Sequence, residues 1–159
     1  MVNMATWKWD KRWLEVARVV ASWSKDPSSK CGSVAVMDNR IVAQGYNGFA
    51  RGFKETDELL NNREVKYERM VHAEANMIYN AVYNGQSLKG STAYVYAPLP
   101  SCHECAKALI QAGVSRVVSA YDPASEAWER WKDRCEMAGR FFAEGRVVYE
   151  LVPFSYLQD

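Results

Sequence analysis

The order of the segments along this chain constrains its fold more than any other feature of the sequence. Segments with strand character alternate with segments of helical periodicity, in the order α-β-β-α-β-α-β-α-β, across 159 residues. This alternation is typical of an α/β domain in which helices cover both faces of one sheet. We therefore predict a three-layer α/β/α fold around a central mixed five-stranded sheet, in a single domain over residues 1–159.

The segment boundaries follow from hydrophobic periodicity and from the positions of glycine and proline. Apolar residues at three- and four-residue spacing, from Trp9 to Trp23, predict an amphipathic first helix whose tryptophans lie in the core or at a subunit contact. The predicted helices cover residues 9–24, 71–85, 102–112 and 124–142, and the predicted strands cover residues 32–38, 40–47, 92–98, 114–121 and 146–152. Residues 48–68 are polar and predict a long surface loop with some helix, which in a compact domain is usually functional.

Charge and hydropathy argue against several classes of function. The formal net charge is +1, because 20 Lys and Arg residues offset 19 Asp and Glu residues. That balance argues against binding DNA or RNA through many phosphate contacts, so we expect no nucleic-acid polymer as partner. No apolar run approaches the roughly 20 residues of a membrane span, and the N-terminal stretch lacks the apolar region of a signal peptide. We therefore expect no membrane partner and a cytoplasmic location, in the host cytoplasm if a virus encodes the chain.

The first candidate for a chemical role is the His-Ala-Glu triplet at residues 72–74. Taken alone, His72 is more often a structural histidine than a metal ligand, and Glu74 is more often a solvated helix carboxylate. At a predicted helix start, however, Glu74 can point towards the open position of a metal ion without binding the ion. The role of both residues therefore depends on further ligands elsewhere in the chain.

Cys102 and Cys105 provide those ligands, spaced C-x-x-C at the start of a later predicted helix. Alone, this motif also fits a thioredoxin-like redox pair. A helix N-terminus favours thiolates, which are the species that bind zinc. One His and two Cys with an open fourth position form the pattern of a catalytic zinc site rather than a closed structural one. We therefore predict that His72, Cys102 and Cys105 bind one catalytic Zn²⁺, and that His103 is exposed and does not reach the ion.

A catalytic role for Glu74 follows from the chemistry of such a site. Zinc lowers the pKa of a bound water to about 7, and a nearby carboxylate can take that proton and pass it to a leaving group. The combination of H-x-E with a later C-x-x-C is the signature of zinc nucleobase deaminases. We therefore predict that Glu74 is the catalytic proton shuttle.

Five stretches extend this pattern over roughly residues 9–121: SKDPSSKCGSVAV, IVAQGYNGFARG, VKYERMVHAEANMI, LKGSTAYVY and CHECAKALIQAGVSRVV. In this order they resemble the deoxycytidylate (dCMP) deaminase family of the cytidine deaminase-like superfamily. The resemblance implies a cytidine deaminase-like fold. It also implies the zinc-dependent hydrolysis of dCMP to dUMP and ammonia, which supplies dUMP for thymidylate synthesis. One departure is that Pro100 precedes Ser101, whereas the family places proline directly before the first cysteine. Ser101 could cap the following helix in its place.

The resemblance further implies a pocket for a small-molecule nucleotide, with Asn47 contacting the sugar and the pyrimidine held near Ala73. The candidate substrate-binding residues are Tyr46, Asn47, Arg51, Ala73 and Ser101. Arg51 suits a 5′-phosphate, because the guanidinium group matches phosphate geometry, but a solvated loop charge explains it equally well. Asn47 could also be no more than a turn residue.

The family also suggests how such a chain is assembled and controlled. Members are commonly homo-oligomers, often hexamers, and many are activated by dCTP and inhibited by dTTP. The resemblance therefore implies a homo-oligomer, and Mg²⁺ accompanying an allosteric nucleoside triphosphate. Three alternatives stay open: a deaminase of another cytosine nucleotide such as 5-methyl-dCMP, an editing deaminase acting on tRNA or single strands, and a non-catalytic zinc-stabilised module in which Glu74 is idle.

Overall fold

One mixed sheet of five strands forms the centre of the molecule, in the computed structural model that describes residues 3–158. The two ends of the predicted domain, residues 1–2 and 159, lie outside the described residues. The helices are α1 (Trp7–Ala21), α2 (Asp57–Asn61), α3 (Arg63–Arg69), α4 (Ala73–Tyr83), α5 (His103–Gln111) and α6 (Glu126–Glu144), with a 3-10 helix at Phe154–Leu157. The strands are β1 (Gly32–Met37), β2 (Arg40–Tyr46), β3 (Gly48–Phe49), β4 (Met70–Val71), β5 (Thr92–Tyr96), β6 (Arg116–Tyr121) and β7 (Val148–Pro153).

The strand order of the sheet is β2-β1-β5-β6-β7. Strand β1 pairs antiparallel with β2 and with β5, whereas β5, β6 and β7 run parallel to one another. Asp38 and Asn39 join β1 to β2 with φ angles of 47° and 61°. Positive φ at both central residues defines the two-residue turn whose twist matches that of the flanking strands. The predicted mixed five-stranded sheet and its first tight turn are therefore confirmed.

Helices cover both faces of this sheet, because alternate residues of the buried strands point in opposite directions. On one face, α1 packs Leu14 and Val20 against Val34 and Tyr94 of the central strands. On the other face, α4, α5 and α6 form the larger core. Its members include Ala35, Met77, Ala93, Val95, Leu109 and Phe142. The predicted three-layer α/β/α architecture is confirmed.

The apolar face predicted for α1 is buried only in part: Val20 is in the core and Trp13 packs against it, but the outer tryptophans are exposed. Trp9 and Trp23 are 43% and 52% exposed, whereas Asp10, Leu14 and Ala17 are buried. Gly32 of β1 lies so close to α1 that a Cβ there would overlap the carbonyl oxygen of Ala17. Only small side chains fit at such a contact, so the larger tryptophans lie on the flanks of the helix.

The segment predicted as a long loop contains more regular structure than its polarity indicated. Strands β3 and β4 form a separate two-stranded antiparallel sheet, and α2 and α3 lie between them. The side chains of Thr56 and Asn62 cap the two helices by accepting hydrogen bonds from backbone N–H groups. The buried Lys66 ammonium of α3 lies 3.1 Å from Asp26, which holds α3 against the segment between α1 and β1. Within residues 3–158, no helix has both the length and the apolar character needed to cross a membrane.

Candidate metal centre

Two helix starts bring together the three predicted metal ligands. His72 is the N-cap residue of α4 and Cys102 is the N-cap residue of α5, and neither side chain accepts a capping hydrogen bond. Cys105 lies in the first turn of α5 and is buried. The Nδ1 atom of His72 and the Sγ atoms of both cysteines lie within 4.8 Å of one another.

The spacing of these donor atoms fits a tetrahedral zinc site. The Nδ1 atom of His72 is 3.3 Å from the Sγ atom of Cys105 and 3.5 Å from that of Cys102. Zn–N bonds of about 2.0–2.1 Å and Zn–S bonds of about 2.3 Å at tetrahedral angles require about 3.6 Å between nitrogen and sulfur. One imidazole and two thiols also form the donor set of catalytic zinc centres, which leave one position for water or substrate. The residues present therefore fit this metal.

The pKa of one of the three groups is shifted in the direction that favours metal binding, and the pKa values of the other two are shifted the opposite way. Hydrogen bonds from the Cys105 thiol and from His72 lower the pKa of Cys102 to about 4, despite the opposing effect of burial. The hydrogen bond to Cys102 raises the pKa of His72 to about 9. The pKa of Cys105 is raised, because its proton is held by Cys102 and because the thiol is buried. Cys102 is therefore the more acidic of the two thiols, whereas His72 and Cys105 each release a proton when a cation binds.

Glu74 lies in the first turn of α4, two residues after His72, and only 5% of its surface is exposed. Burial raises the pKa of its carboxyl group, and the negative charge of Cys102 raises it further. A buried carboxyl group with a raised pKa beside a metal-binding cluster has the properties of a general acid and base.

A cavity of about 690 Å³ opens above this cluster. His72, Ala73, Glu74 and Cys102 line one end of it, and Asn47 also contributes to its wall. The volume is within the range of pockets that bind small molecules. The structure therefore places the metal-binding cluster, Glu74 and two of the predicted substrate-binding residues, Asn47 and Ala73, at one site.

Asn47 already has structural hydrogen bonds within the protein. Its side-chain oxygen accepts from the backbone N–H of Cys31 at 2.9 Å, and its Nδ2 donates to the carbonyl oxygen of Ser29 at 2.8 Å. These bonds hold the segment before β1 against the end of β2. The predicted sugar contact of Asn47 stays a prediction, and the structure adds a positioning role that the sequence did not indicate.

Two other predicted substrate-binding residues, Tyr46 and Arg51, lie outside the cavity wall. Tyr46 is exposed and packs edge-to-face on Trp23, with ring centroids 6.1 Å apart. Arg51 is exposed, and its guanidinium group lies 4.5 Å from the centre of the Tyr83 ring. Neither residue lines the cavity. The predicted phosphate contact of Arg51 therefore has no support from its position in this chain.

Ser101 is buried, with 2% of its surface exposed, but it does not cap α5, because the N-cap residue is Cys102. The proposed replacement of a proline by a serine cap is therefore wrong. The Ser101 hydroxyl lies near Glu74 and lowers the pKa of that carboxyl group, although the geometry falls short of a hydrogen bond.

His103 is also not placed as predicted. It is half-buried and lines the cavity, with its Nε2 atom 3.3 Å from a carboxylate oxygen of Glu104. It does not belong to the metal-binding cluster of His72, Cys102 and Cys105.

Part of the cavity wall was not identified from the sequence. Arg63 and Tyr67 of α3 line one side, and Arg130, Trp131 and Arg134 of α6 line another. The only signal for α6 is the four-residue spacing of Arg130 and Arg134, which places both on one helix face. That spacing is equally typical of a solvated helix, so it could not identify a cavity wall.

Comparisons with known proteins agree with this geometry. The family model of the cytidine and deoxycytidylate deaminase zinc-binding region matches residues 7–121. A deoxycytidylate deaminase from Mus musculus is 38% identical, over 94% of this chain and 86% of that protein. A deaminase from Aliivibrio fischeri is 33% identical, over 95% of this chain and 98% of that protein. The structure of a dCMP deaminase from the cyanophage S-TIM5, in complex with dCMP and dUMP, has the same fold, with a TM-score of 0.69 and 21% identity over 96% of this chain and 100% of that chain.

Proposed function

The chain belongs to the cytidine and deoxycytidylate deaminase family, and from this we propose that it catalyses the hydrolytic deamination of dCMP to dUMP and ammonia. The observation that carries the proposal is one juxtaposition: three metal-binding side chains and a buried Glu74 lie at one end of a cavity of about 690 Å³. The reaction supplies dUMP for thymidylate synthesis.

We propose that His72, Cys102 and Cys105 hold one zinc ion. When bound, the ion supplies a Lewis acid that makes water a nucleophile at neutral pH. Glu74 accepts a proton from the attacking water and delivers it to N3 of the ring; it then accepts the proton of the hydroxyl group formed at C4 and delivers it to the departing amine. Water adds at C4 of the cytosine, the bond from C4 to the exocyclic nitrogen breaks, and ammonia leaves. Burial shifts the pKa of Glu74 upward, in the direction that lets a carboxyl group donate as well as accept a proton.

The substrate lies with its pyrimidine against Ala73 and its sugar towards Asn47. This orientation is supported by the positions of both residues in the cavity wall beside His72 and Glu74. A cavity of about 690 Å³ has room for a free nucleotide, which needs no base to be flipped from a strand.

We also propose that the whole chain forms one catalytic domain and assembles as a homo-oligomer, with a hexamer as the family precedent. Exposed aromatic side chains on α1 and α4, such as Trp9 and Tyr83, support an interface. A cytoplasmic location is supported by four free cysteines, because thiols stay reduced in that compartment. Regulation by dCTP and dTTP, with Mg²⁺ bound to the triphosphate, belongs to the same proposal.

The experiment that tests the function follows the ultraviolet absorbance of dCMP and of deoxycytidine, with and without a zinc chelator. We expect turnover of dCMP that stops on chelation and returns when zinc is added. Deoxycytidine should react far more slowly, because it lacks the phosphate. A metal-loaded, folded protein that turns over neither compound would contradict the proposal.

A further inference from the structure

One wall of the cavity is built by α6, which begins after residue 121, where the match to the family model ends. Arg130, Trp131 and Arg134 line the cavity from this helix. Arg63 and Tyr67 of α3 line it as well. This part of the site is therefore formed by α6 together with the segment between β3 and β4.

An aromatic contact joins these two helices at the cavity. The rings of Tyr67 and Trp131 pack edge-to-face, with centroids 5.6 Å apart and an interplanar angle of 72°. Arg63 precedes Tyr67 by four residues, and residues at that spacing share one face of a helix. Arg130 is adjacent to Trp131 in the chain. Both arginines line the cavity from the two helices that this ring contact joins.

Some charged residues that line the cavity form ion pairs within the protein, and others do not. Lys66 forms an ion pair with Asp26 at 3.1 Å, and Glu104 forms an ion pair with Lys107 at 2.7 Å. Glu74 lies beside the metal-binding cluster. The guanidinium group of Arg134 lies 4.8 Å from the centre of the Trp131 ring.

Two of the remaining charges are exposed guanidinium groups. Within residues 3–158, Arg63 and Arg130 have no ion-pair partner. Apart from Glu74 at the metal-binding cluster, Arg134 and Glu126 are the other charged residues of the described cavity wall without an ion-pair partner. Arg63, Arg130 and Arg134 therefore outnumber Glu126, and this part of the cavity has an excess of positive charge.

We infer that Arg63 and Arg130 bind the 5′-phosphate of the nucleotide substrate. The inference rests on the proposed function, because it requires the pyrimidine to lie at Glu74 and the phosphate to project away from it. A phosphate monoester carries a charge of about −1.5 to −2 at neutral pH, which two guanidinium groups match. Guanidinium groups also bind phosphate oxygens through paired, charge-assisted hydrogen bonds. These two arginines, rather than Arg51, then distinguish a nucleotide from a nucleoside.

The test compares the Arg63→Ala and Arg130→Ala variants with the wild-type enzyme and with a matched control, Arg140→Ala. Arg140 is also an exposed arginine of α6, but it does not line the cavity. For each protein, kcat/KM is measured for dCMP and for deoxycytidine, together with the inhibition constant of inorganic phosphate against dCMP. Thermal melting verifies that each variant is folded.

We expect kcat/KM for dCMP to fall about tenfold or more in each cavity variant, mainly through KM, as for the loss of hydrogen bonds to a charged group. The inhibition constant of phosphate should rise by a similar factor. Deoxycytidine turnover and the Arg140→Ala variant should stay within about twofold of the wild type, since neither involves the phosphate contact.

Four results would overturn the inference: unchanged kcat/KM for dCMP, an unchanged inhibition constant for phosphate, a parallel loss of deoxycytidine turnover, or a change confined to the response to dCTP. The last result would assign the arginines to an effector triphosphate instead of the substrate. Failure of the wild-type enzyme to deaminate dCMP would instead refute the proposed function, so the two failures are distinguishable.

Discussion

At the scale of single residues, the site depends on two N-cap positions that do not cap their helices. An N-cap side chain that accepts a hydrogen bond usually stabilises a helix by about 1 kcal/mol. His72 and Cys102 make no such bond, and their side chains face each other 3.5 Å apart. Both helices therefore begin with a residue whose side chain is free to bind a metal ion, and the open N-terminus of α5 also favours the Cys102 thiolate.

The proposed proton transfer predicts the behaviour of the Glu74→Gln variant. Glutamine has nearly the same shape but cannot exchange a proton, so kcat for dCMP should fall by about 10²–10⁴-fold, the usual contribution of general acid–base catalysis. Bound zinc should be unchanged, because Glu74 does not belong to the cluster of metal-binding groups. Steady-state kinetics and metal analysis of the purified variant measure both quantities. Turnover at the wild-type rate, with zinc retained, would refute the role of Glu74.

A second residue-scale prediction concerns the buried Asp10, on the sheet face opposite the metal-binding cluster. Burial alone would raise the pKa of Asp10, but hydrogen bonds from Arg116, Thr6 and Tyr94 outweigh it and lower the pKa. A lowered carboxyl pKa contributes stability above the unfolded value, near 3.8, and this stability is lost as the pH falls through the folded value. The Asp10→Asn variant should therefore lose about 3 kcal/mol at pH 7, the lower end for a broken buried pair. The lower end applies because Arg116 keeps its second partner, Glu150.

Urea unfolding at about pH 7 and about pH 3 measures this effect, with Asp133→Asn as the control. Asp133 is an exposed residue of α6, so its loss should change the unfolding free energy by less than about 0.5 kcal/mol. The deficit of the Asp10→Asn variant should shrink at the lower pH, because the stabilisation from the lowered pKa of Asp10 declines once the pH falls below the unfolded value near 3.8. A deficit that stays constant with pH would show that packing, rather than charge, makes Asp10 important.

At the scale of elements, the contact between β2 and α4 positions the first turn that carries Glu74. A Cβ on Gly45 would overlap the backbone nitrogen of Met77 and lie 2.7 Å from the carbonyl oxygen of Ala73. Asn80 of α4 also donates a hydrogen bond to the carbonyl oxygen of Gln44 at 2.7 Å. The strand and the helix are thus held at a separation that only glycine permits.

Gly45→Ala should therefore reduce both stability and activity. Overpacking of this kind costs about 1–3 kcal/mol, and a shift of α4 by about 1 Å could reduce kcat by about 10²-fold. Gly48→Ala is the matched control, because a Cβ on Gly48 would have no other atom within 4 Å. Thermal melting and kcat for dCMP measure the two effects. Equal behaviour of the two variants would show that the close contact does not position the site.

An element could be predicted from the sequence when residues adjacent in the chain encode it. The Asp38-Asn39 turn and the helices after His72 and Cys102 are encoded by neighbouring residues, and they appeared close to where the sequence placed them. The buried face of α1 depends on its separation from Gly32, and that separation is set by packing rather than by periodicity. For the same reason, the contact between Tyr67 and Trp131, 64 positions apart in the chain, had no signal in the sequence.

At the scale of the whole molecule, the metal-binding cluster is separate from the two apolar cores. Large buried side chains such as Leu14, Met77 and Phe142 pack on either side of the sheet without contributing to the cluster. The sequence could predict both parts, because alternating strands and helices encode the layers and two short motifs encode the ligands. The arginines of the cavity wall could not be identified from the sequence, since exposed arginines are common and only folding brings α3 next to α6.

This separation predicts how the molecule responds when its metal is removed. Two apolar cores should keep the metal-free protein folded, unlike small domains that are unfolded without zinc. Zinc at about a thousandfold above its dissociation constant would stabilise the native state by about 4 kcal/mol. For a chain of this size, that corresponds to a Tm about 8–16 °C higher than that of the metal-free protein. Calorimetry with and without a chelator measures the difference, and Cys102→Ser should remove most of it. Complete unfolding on chelation, or an unchanged Tm after verified metal loss, would contradict this prediction.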